Sequence, residues 1–324
     1  MKTLRGFAIL ALAFALAPDF ALAQGYPTHP IRLVVADAAG GAPDQLARLV
    51  AQKVSESLGQ QMVVDNRAGA GGAVGAESVA KSAPDGYTLL MTTTAVYAIL
   101  PNLRKDLPYD PVRDFAPVAR IATASNVLVV NNAVPAQNVA ELVRYAKERP
   151  GALNYASAGI GTPAHLAGEM LNLLADIKVT HIPYKGAAPG LLDVIAGNAQ
   201  YIITSPIAAG AHMNAGRVRA IASTGIERNP ALPELPTVAD TLPGYEITQS
   251  WGIVAPAGTP VEIVKRLGDE FVKALANADV RDKILKTGAV PASNDSPAAF
   301  ADFMAKERAR LGDVIARSKI ELKE

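Results

Sequence analysis

Three features of this sequence predict an α/β protein made of two sheet-and-helix units. From residue 31 onward, short apolar runs alternate with helical patterns, the signature of βαβ units and mostly parallel sheets. A proline-rich stretch, 230–243, breaks that rhythm, and beyond residue 260 only helical patterns follow. A helical tail with no sheet of its own must bury its apolar face on an earlier unit. The first unit is then discontinuous, and the chain crosses between the units twice. Double connections of this kind suit units that close on a ligand.

The chain opens "MKTLRGFAILALAFALAPDFALAQ". Lys2 and Arg5 precede an apolar run over 6–17, and Ala21-Leu22-Ala23 is an A-x-A cleavage site, the three-part pattern of a secretory signal peptide. The run is too short for a permanent membrane-spanning helix. Cleavage after Ala23 makes Gln24 the first residue and leaves 301 of the 324 residues. The chain has no cysteine, which excludes a lipid anchor on that residue, disulfides and thiolate metal sites. An exported soluble protein of this length relies on its hydrophobic core.

The whole chain carries 31 Lys and Arg against 30 Asp and Glu. The leader holds two of the former and one of the latter, so the remainder is balanced at 29 of each. A balanced charge gives no electrostatic reason to bind nucleic acid or an anionic membrane.

The elements follow in order. "IRLVV" (31–35) reads as a first strand and "AAGGAPD" as the turn into a helix over 45–58. "QMVVDN" (61–66) is a second strand, followed by "RAGAGGAVG" and a helix to residue 80. "YTLLMTTT" (87–94) is a third strand. The series resumes with "NVLVVNN" (126–132), the helix "AELVRYAKERP", the strand "LNYASAG" and a helix over 163–174. Next come "KVTHIPYKG", the helix "AAPGLLDVIAG", the strand "AQYIIT", a helix over 207–214 and "RVRAIAST". After "SWGIVAPAGTP" come helices at 261–276, 278–286 and 297–317. In the last, Phe300, Phe303, Met304, Leu311, Val314 and Ile315 recur at helical spacing and mark a core-facing stripe.

"NYASAGIGTPAHLAGEML" (154–171) joins a serine, a Gly-x-Gly turn and a histidine where strand becomes helix. Ser157 lies in Tyr-Ala-Ser-Ala-Gly rather than Gly-x-Ser-x-Gly, so the nucleophile elbow fails at its first glycine. His165 follows Ser157 by eight residues and lies in the following helix. A secreted α/β hydrolase or transferase using Ser157 with His165 is therefore the weaker alternative. Gly159, Gly161 and Ala164 satisfy G-x-G-x-x-A, but no acidic residue ends the next strand to hold a ribose, so no nucleotide cofactor is expected. His29, His165, His181 and His212 are scattered without ligand spacing, so no metal is expected. What remains is a set of glycine turns opening helices: "AAGGAPDQLAR", "RAGAGGAVG", "SAGIGTPAHL" and "YKGAAPG". Backbone amides and helix N-termini favour an anion, and in open α/β sheets ligands lie outside the carboxyl ends of the strands.

At this point the sequence becomes recognisable. "YPTHPIRLVVADAAGGAPDQLAR", "QMVVDNRAGAGGAVGAESVAKSAPDGYTLL", "NYASAGIGTPAHLAGEM" and "HIPYKG" resemble, in order and spacing, the Bug family of periplasmic solute receptors, the substrate-binding components of tripartite tricarboxylate transporters. The resemblance runs from about Tyr26 to the C-terminus. It implies a periplasmic location and a two-domain Venus-flytrap fold with a central cleft and a double-stranded hinge. It also implies capture of a small carboxylate without catalysis, and delivery to a permease of one large and one small subunit. Residues 24–123 plus 251–324 would form domain 1 and 124–250 domain 2, in a receptor working as a monomer. Carried over by motif, the first-domain grip is Ala39, Gly40, Gly41 and Asp44 with Thr93 and Thr94. The second-domain grip is Ser157, Gly159, Thr162 and His165.

Two departures from the family pattern bear on the ligand. Ala36 and Asp37 stand where the family usually has a proline and an aromatic residue, and Thr204 and Ser205 stand where it usually has Phe-Asp. Either Asp37 faces solvent, or it lines the cleft and pairs with an amine, making the ligand amine-bearing. The hinge is expected near 122–125 and 249–252, where Trp251, the sole tryptophan, would report closure or simply pack.

Overall fold

The computed structural model describes residues 25–229, 232–293 and 296–318, so the leader over 1–23 lies outside the described residues. The first half runs β1 (Ile31–Val35), α1 (Ala42–Leu58), β2 (Met62–Asn66), α2 (Ala73–Ala80), β3 (Thr88–Thr93), a π turn and α3 (Leu100–Leu103), then β4 (Phe115–Ser125). The second half runs β5 (Val127–Asn131), α4 (Val139–Lys147), β6 (Asn154–Ser157), α5 (Pro163–Ala175), β7 (Thr180–Pro183), α6 (Ala187–Ala196), β8 (Tyr201–Thr204), α7 (Pro206–Asn214) and β9 (Val218–Ser223). The chain then returns through β10 (Thr248–Pro256) to α8 (Val261–Ala276), α9 (Ala278–Lys286), β11 (Val290–Pro291) and α10 (Pro297–Ser318).

Two sheets result, ordered β11-β4-β10-β3-β1-β2 and β7-β6-β8-β5-β9. The expectation of mostly parallel sheets needs correcting, because both are mixed. β1 pairs parallel with β2 and β3, and β6 pairs parallel with β7 and β8. The strands that carry the chain between units are antiparallel to their neighbours: β4 to β10, β10 to β3, and β5 to β8 and β9. A strand leaving a sheet beside the strand that re-enters it must run the opposite way. β4 carried no clear pattern in the sequence because Pro117 and Arg120 interrupt its apolar residues. The short β11, paired to β4, breaks the expected run of helices alone.

The helical tail packs on the first sheet. Phe300, Met304, Leu311 and Ile315 of α10 are buried in a cluster with Leu90, Val96 and Val254, with Phe303 and Val314 partly buried beside them. Leu267 and Phe271 of α8 join Val50 and Val54 of α1 on the other side of the sheet. α10 lies so close to β10 that a Cβ at Gly252 would meet the Phe300 ring at 2.2 Å and the Ala119 carbonyl oxygen at 2.9 Å. Overpacking of this kind costs about 2 kcal/mol. Gly252→Ala should lower the thermal midpoint by about 5 °C, read by calorimetry.

The chain leaves the first sheet at Asn126 and re-enters at Thr248. Residues 122–125 and 249–252 are themselves ladder-paired, Ala122 with Trp251 and Ala124 with Gln249. Thr224 ties the two crossings together. Its N–H donates to the Asn126 carbonyl at 2.9 Å, and its hydroxyl oxygen accepts from the Asn126 N–H at 2.8 Å. Its own carbonyl accepts from the Ile247 N–H at 3.0 Å.

Candidate functional site

Every parallel strand of both sheets delivers its carboxyl end to one cavity of about 260 Å³. Asp37 follows β1, the 68–72 turn follows β2, and Thr93 ends β3. From the second sheet come the 158–164 turn after β6, the 183–187 turn after β7, and Thr204 with Ser205 at the end of β8. Gln249 and Trp251 of β10 line it from between the two sheets. This is where an open α/β sheet presents loops to a ligand.

The two sides of the cavity touch. A Cβ at Gly71 would stand 2.4 Å from the Ile160 carbonyl oxygen, and one at Gly161 would stand 2.2 Å from Leu100. Gln45 Nε2 donates to the Ile207 carbonyl at 3.4 Å. The conformation is therefore closed, with glycines where backbone meets backbone.

Of the residues singled out from the sequence, Asp37, Thr93, Gly159, Thr162 and Ser205 line the cavity. The others lie behind it. Gly40 donates its N–H to Asp44 Oδ2 at 2.9 Å, and Asp44, only 4% exposed, pairs with Arg48 at 3.0 Å. Gly41 donates to the Ala38 carbonyl at 3.2 Å, so Ala39 sits in a turn that is closed on itself. Thr94 is buried and accepts from the Ser250 N–H at 2.8 Å. Ser157 and His165 are buried beneath the 158–162 turn. Thr162 and Ser205 cap α5 and α7, each hydroxyl accepting a first-turn amide.

Bare glycine amides are fewer than the sequence suggested. Gly159 N–H donates to Ser157 Oγ at 3.0 Å and Gly161 N–H to His165 Nδ1 at 3.3 Å. Among the described residues, the amides of Ala70, Gly71, Ala158 and Ile160 have no protein acceptor, and all four residues line the cavity. The imidazole that meets Ser157 is His181, with Nε2 2.6 Å from Oγ, and not His165. Ser157 is 0% exposed, so its hydroxyl has no route to a substrate carbonyl.

Asp37 and Lys185 are the charged residues lining the cavity, one from each sheet's loops. The Asp37 carboxyl lies between two glycines: a Cβ at Gly186 would be 2.4 Å from Oδ1, and one at Gly41 would be 2.9 Å from Oδ2. Burial pushes its pKa up to about 7, against the hydrogen bond from the Ala38 N–H at 2.7 Å and aided by the charge of Asp44. Tyr184 donates to Asp193, and burial together with that bond pushes its phenol up to about 12. Sequence reasoning pointed to the turns over 68–72 and 184–187 and to Thr204 without assigning their residues to the grip, and it missed Gln249 as a lining residue. The glycines after β2 and β7 were the visible signals for the two turns. Nothing local marked Gln249, which reaches the cavity because it stands at the start of β10, where the chain re-enters the first sheet from the second.

Residues 46–320 match the tripartite tricarboxylate transporter family receptor. Among characterised sequences, the chain is 38% identical to the UPF0065 protein in the tcbD-tcbE intergenic region of Pseudomonas sp. (strain P51), covering 96% of this chain and 94% of that one. It is 33% identical to protein BugT of Bordetella pertussis over 93% of each. Among solved structures, it resembles Rhodopseudomonas palustris Rpa4515 with adipate, at 36% identity and a TM-score of 0.88, covering 91% of this chain and 99% of that one. It also resembles MatC from the same organism with bound malate, at 31% identity and a TM-score of 0.86, covering 90% and 100%.

Proposed function

The chain belongs to the tripartite tricarboxylate transporter receptor family, whose members are periplasmic solute-binding receptors, and from that premise we propose that its cavity captures a small carboxylate by domain closure, with no chemistry. The observation that supports this most is the convergence of unbonded amides from both sheets, Ala70 and Gly71 on one side and Ala158 and Ile160 on the other, in a single closed cavity. Preorganised N–H groups donate to a carboxylate from either side. The solute passes to a permease of one large and one small subunit, and the receptor acts as a monomer. Domain 1 is 24–123 plus 251–324 and domain 2 is 124–250, to within the few residues by which β4 and β10 stay paired as far as Ser125 and Thr248, and the two rotate about the Asn126 and Ile247 crossings. Export removes 1–23, so the periplasmic protein begins at Gln24, which N-terminal sequencing checks.

Asp37 narrows the ligand to one bearing an amine. An ionised Asp37 enclosed by Gly186 and Gly41 repels a plain dicarboxylate and attracts an ammonium group. Two pairs that differ at one substituent separate these cases: malate against L-aspartate, and adipate against L-2-aminoadipate. A charge-assisted hydrogen bond favours the amine-bearing member by about tenfold. Because Asp37 titrates near 7, affinity for that member rises from pH 6 to 8, while affinity for the plain diacid falls. Asp37→Asn removes both slopes.

The test is a thermal-shift screen of refolded mature protein against these four acids. A ligand at a hundred times its dissociation constant adds about 2.7 kcal/mol, which raises the midpoint by several degrees. No shift with any of the four would sink the carboxylate reading. A larger shift for malate and adipate would sink the amine.

A further inference from the structure

Beneath the 158–162 turn lies a column of four rings that the cavity does not include. Tyr201 of β8, Tyr155 of β6 and His181 of β7 are register neighbours on adjacent strands, and they stack at 5.6 Å and 4.8 Å. His165 of α5 closes the column on His181 at 4.3 Å. Tyr155 hydroxyl donates to Glu169 at 2.6 Å, which fixes the base of the column to the same helix. Stacking leaves each imidazole little freedom to turn, so its ring nitrogens are aimed.

Both histidines end on the turn above. His165 Nδ1 accepts the Gly161 N–H at 3.3 Å. His181 Nε2 lies 2.6 Å from Ser157 Oγ, and that same hydroxyl oxygen accepts the Gly159 N–H at 3.0 Å. Two of the turn's amides are thus drawn down into the domain. The amides between them, Ala158 and Ile160, have no protein acceptor. Burial, and then the neighbouring His165, hold the His181 pKa down to about 3, so the column adds no positive charge under the turn. The pull that this turn itself exerts on an anion comes from its amide dipoles.

We propose that His181 is a positioning residue for the cavity: through Ser157 it turns the Gly159 N–H inward, as His165 does for Gly161, and so leaves Ala158 and Ile160 to present their amides to the ligand. The assignment rests on the reading of the cavity as a carboxylate site. It concerns this turn and no chemical step.

Amide hydrogen exchange in the ligand-free protein, followed by NMR, tests it alongside adipate titration. Losing one neutral hydrogen bond is worth up to about tenfold. In His181→Leu the Gly159 amide should exchange about tenfold faster while α1, α8 and α10 keep wild-type rates, and adipate should bind about tenfold more weakly. His181→Gln, whose side-chain amide can still meet Ser157, should restore both. If the leucine variant does not fold, Ser157→Ala removes the same link with little change in volume and should give the same exchange. Unchanged Gly159 exchange in these variants, or no rescue by glutamine, overturns the assignment. If wild-type protein ignores adipate, the titration is read with L-2-aminoadipate instead; if it ignores both, that counts against the carboxylate reading, while the exchange rates still decide the role of His181.

Discussion

Gly71→Ala should weaken ligand binding by about a hundredfold, ~2.7 kcal/mol, while both domains stay folded. Gly71 belongs to the turn after β2, and the backbone it meets, at Ile160, belongs to the other domain. A Cβ there would stand 2.4 Å from a carbonyl oxygen, and backbone cannot step aside as a side chain can. The clash exists only when the cleft is shut, so the substitution opposes closure and removes one wall of the ligand's enclosure. Gly71 also has φ +66°, so alanine adds about 1 kcal/mol of local strain that has nothing to do with closure. Gly59 isolates that component: it has φ +68° and nothing within 4 Å of a Cβ. Gly59→Ala should lose the same stability and keep wild-type affinity. Calorimetric titration with the acid that shifts wild type most reads the difference. Equal affinities in the two variants would mean that the closed contact is not part of binding.

Acid should cost the wild-type protein about 3 kcal/mol relative to His181→Gln between pH 7 and pH 4. The pKa of His181 is held down to about 3 by burial and by His165, against 6.5 when free. Between those values the unfolded chain binds a proton that the folded chain refuses, so stability is complete above pH 6.5 and falls as pH drops, by up to about 1.4 kcal/mol per unit. His165 is lowered as well, by burial against the opposing charge of Glu169, and adds in the same direction. Asp37 acts with the opposite sign. Its folded pKa of about 7 lies above the free value of 3.8, so its contribution is present below pH 4 and lost as pH rises through 7. The two opposing slopes flatten the wild-type curve, which is why the comparison is made with a variant that keeps Asp37 and the Ser157 hydrogen bond but cannot titrate at 181. Denaturant melts at pH 4, 5, 6 and 7 measure it. Parallel curves for wild type and variant would show that His181 is free to protonate in the fold.

The local patterns of the chain carry a good deal of this. Short apolar runs bounded by turns mark β1, β2, β3, β6 and β8 within a residue or two: β1, β3, β6 and β8 are covered on both faces and read as continuous apolar runs, while β2, at the sheet edge, is only partly buried. Thr162 and Ser205 announce the helices they cap, and the stripe of α10 announces a buried face. The glycine turns at carboxyl strand ends pointed to a cleft there, and the family resemblance with its departures pointed to Asp37, Thr93, Gly159, Thr162 and Ser205, which line the cavity.

Which amide in a turn is free, and which is spent, could not be read from those patterns. The choice depends on partners distant in sequence: Gly159 is occupied through Ser157 and His181, 24 residues apart. Likewise, the sequence states that position 37 is an aspartate, but its raised pKa comes from burial, with Gly186 of the other domain packed against it, and from the charge of Asp44. Strand direction at the crossings, the place of Gln249 between two sheets, and the glycine contacts across the cleft are of the same kind. Local pattern and propensity bias what each segment becomes, whereas its ladder bonds and the cover of its faces come from distant segments, as β1 is paired by β2 and β3. The charge state of Asp37 and the set of free amides are decided by surfaces that meet only when two domains close on each other.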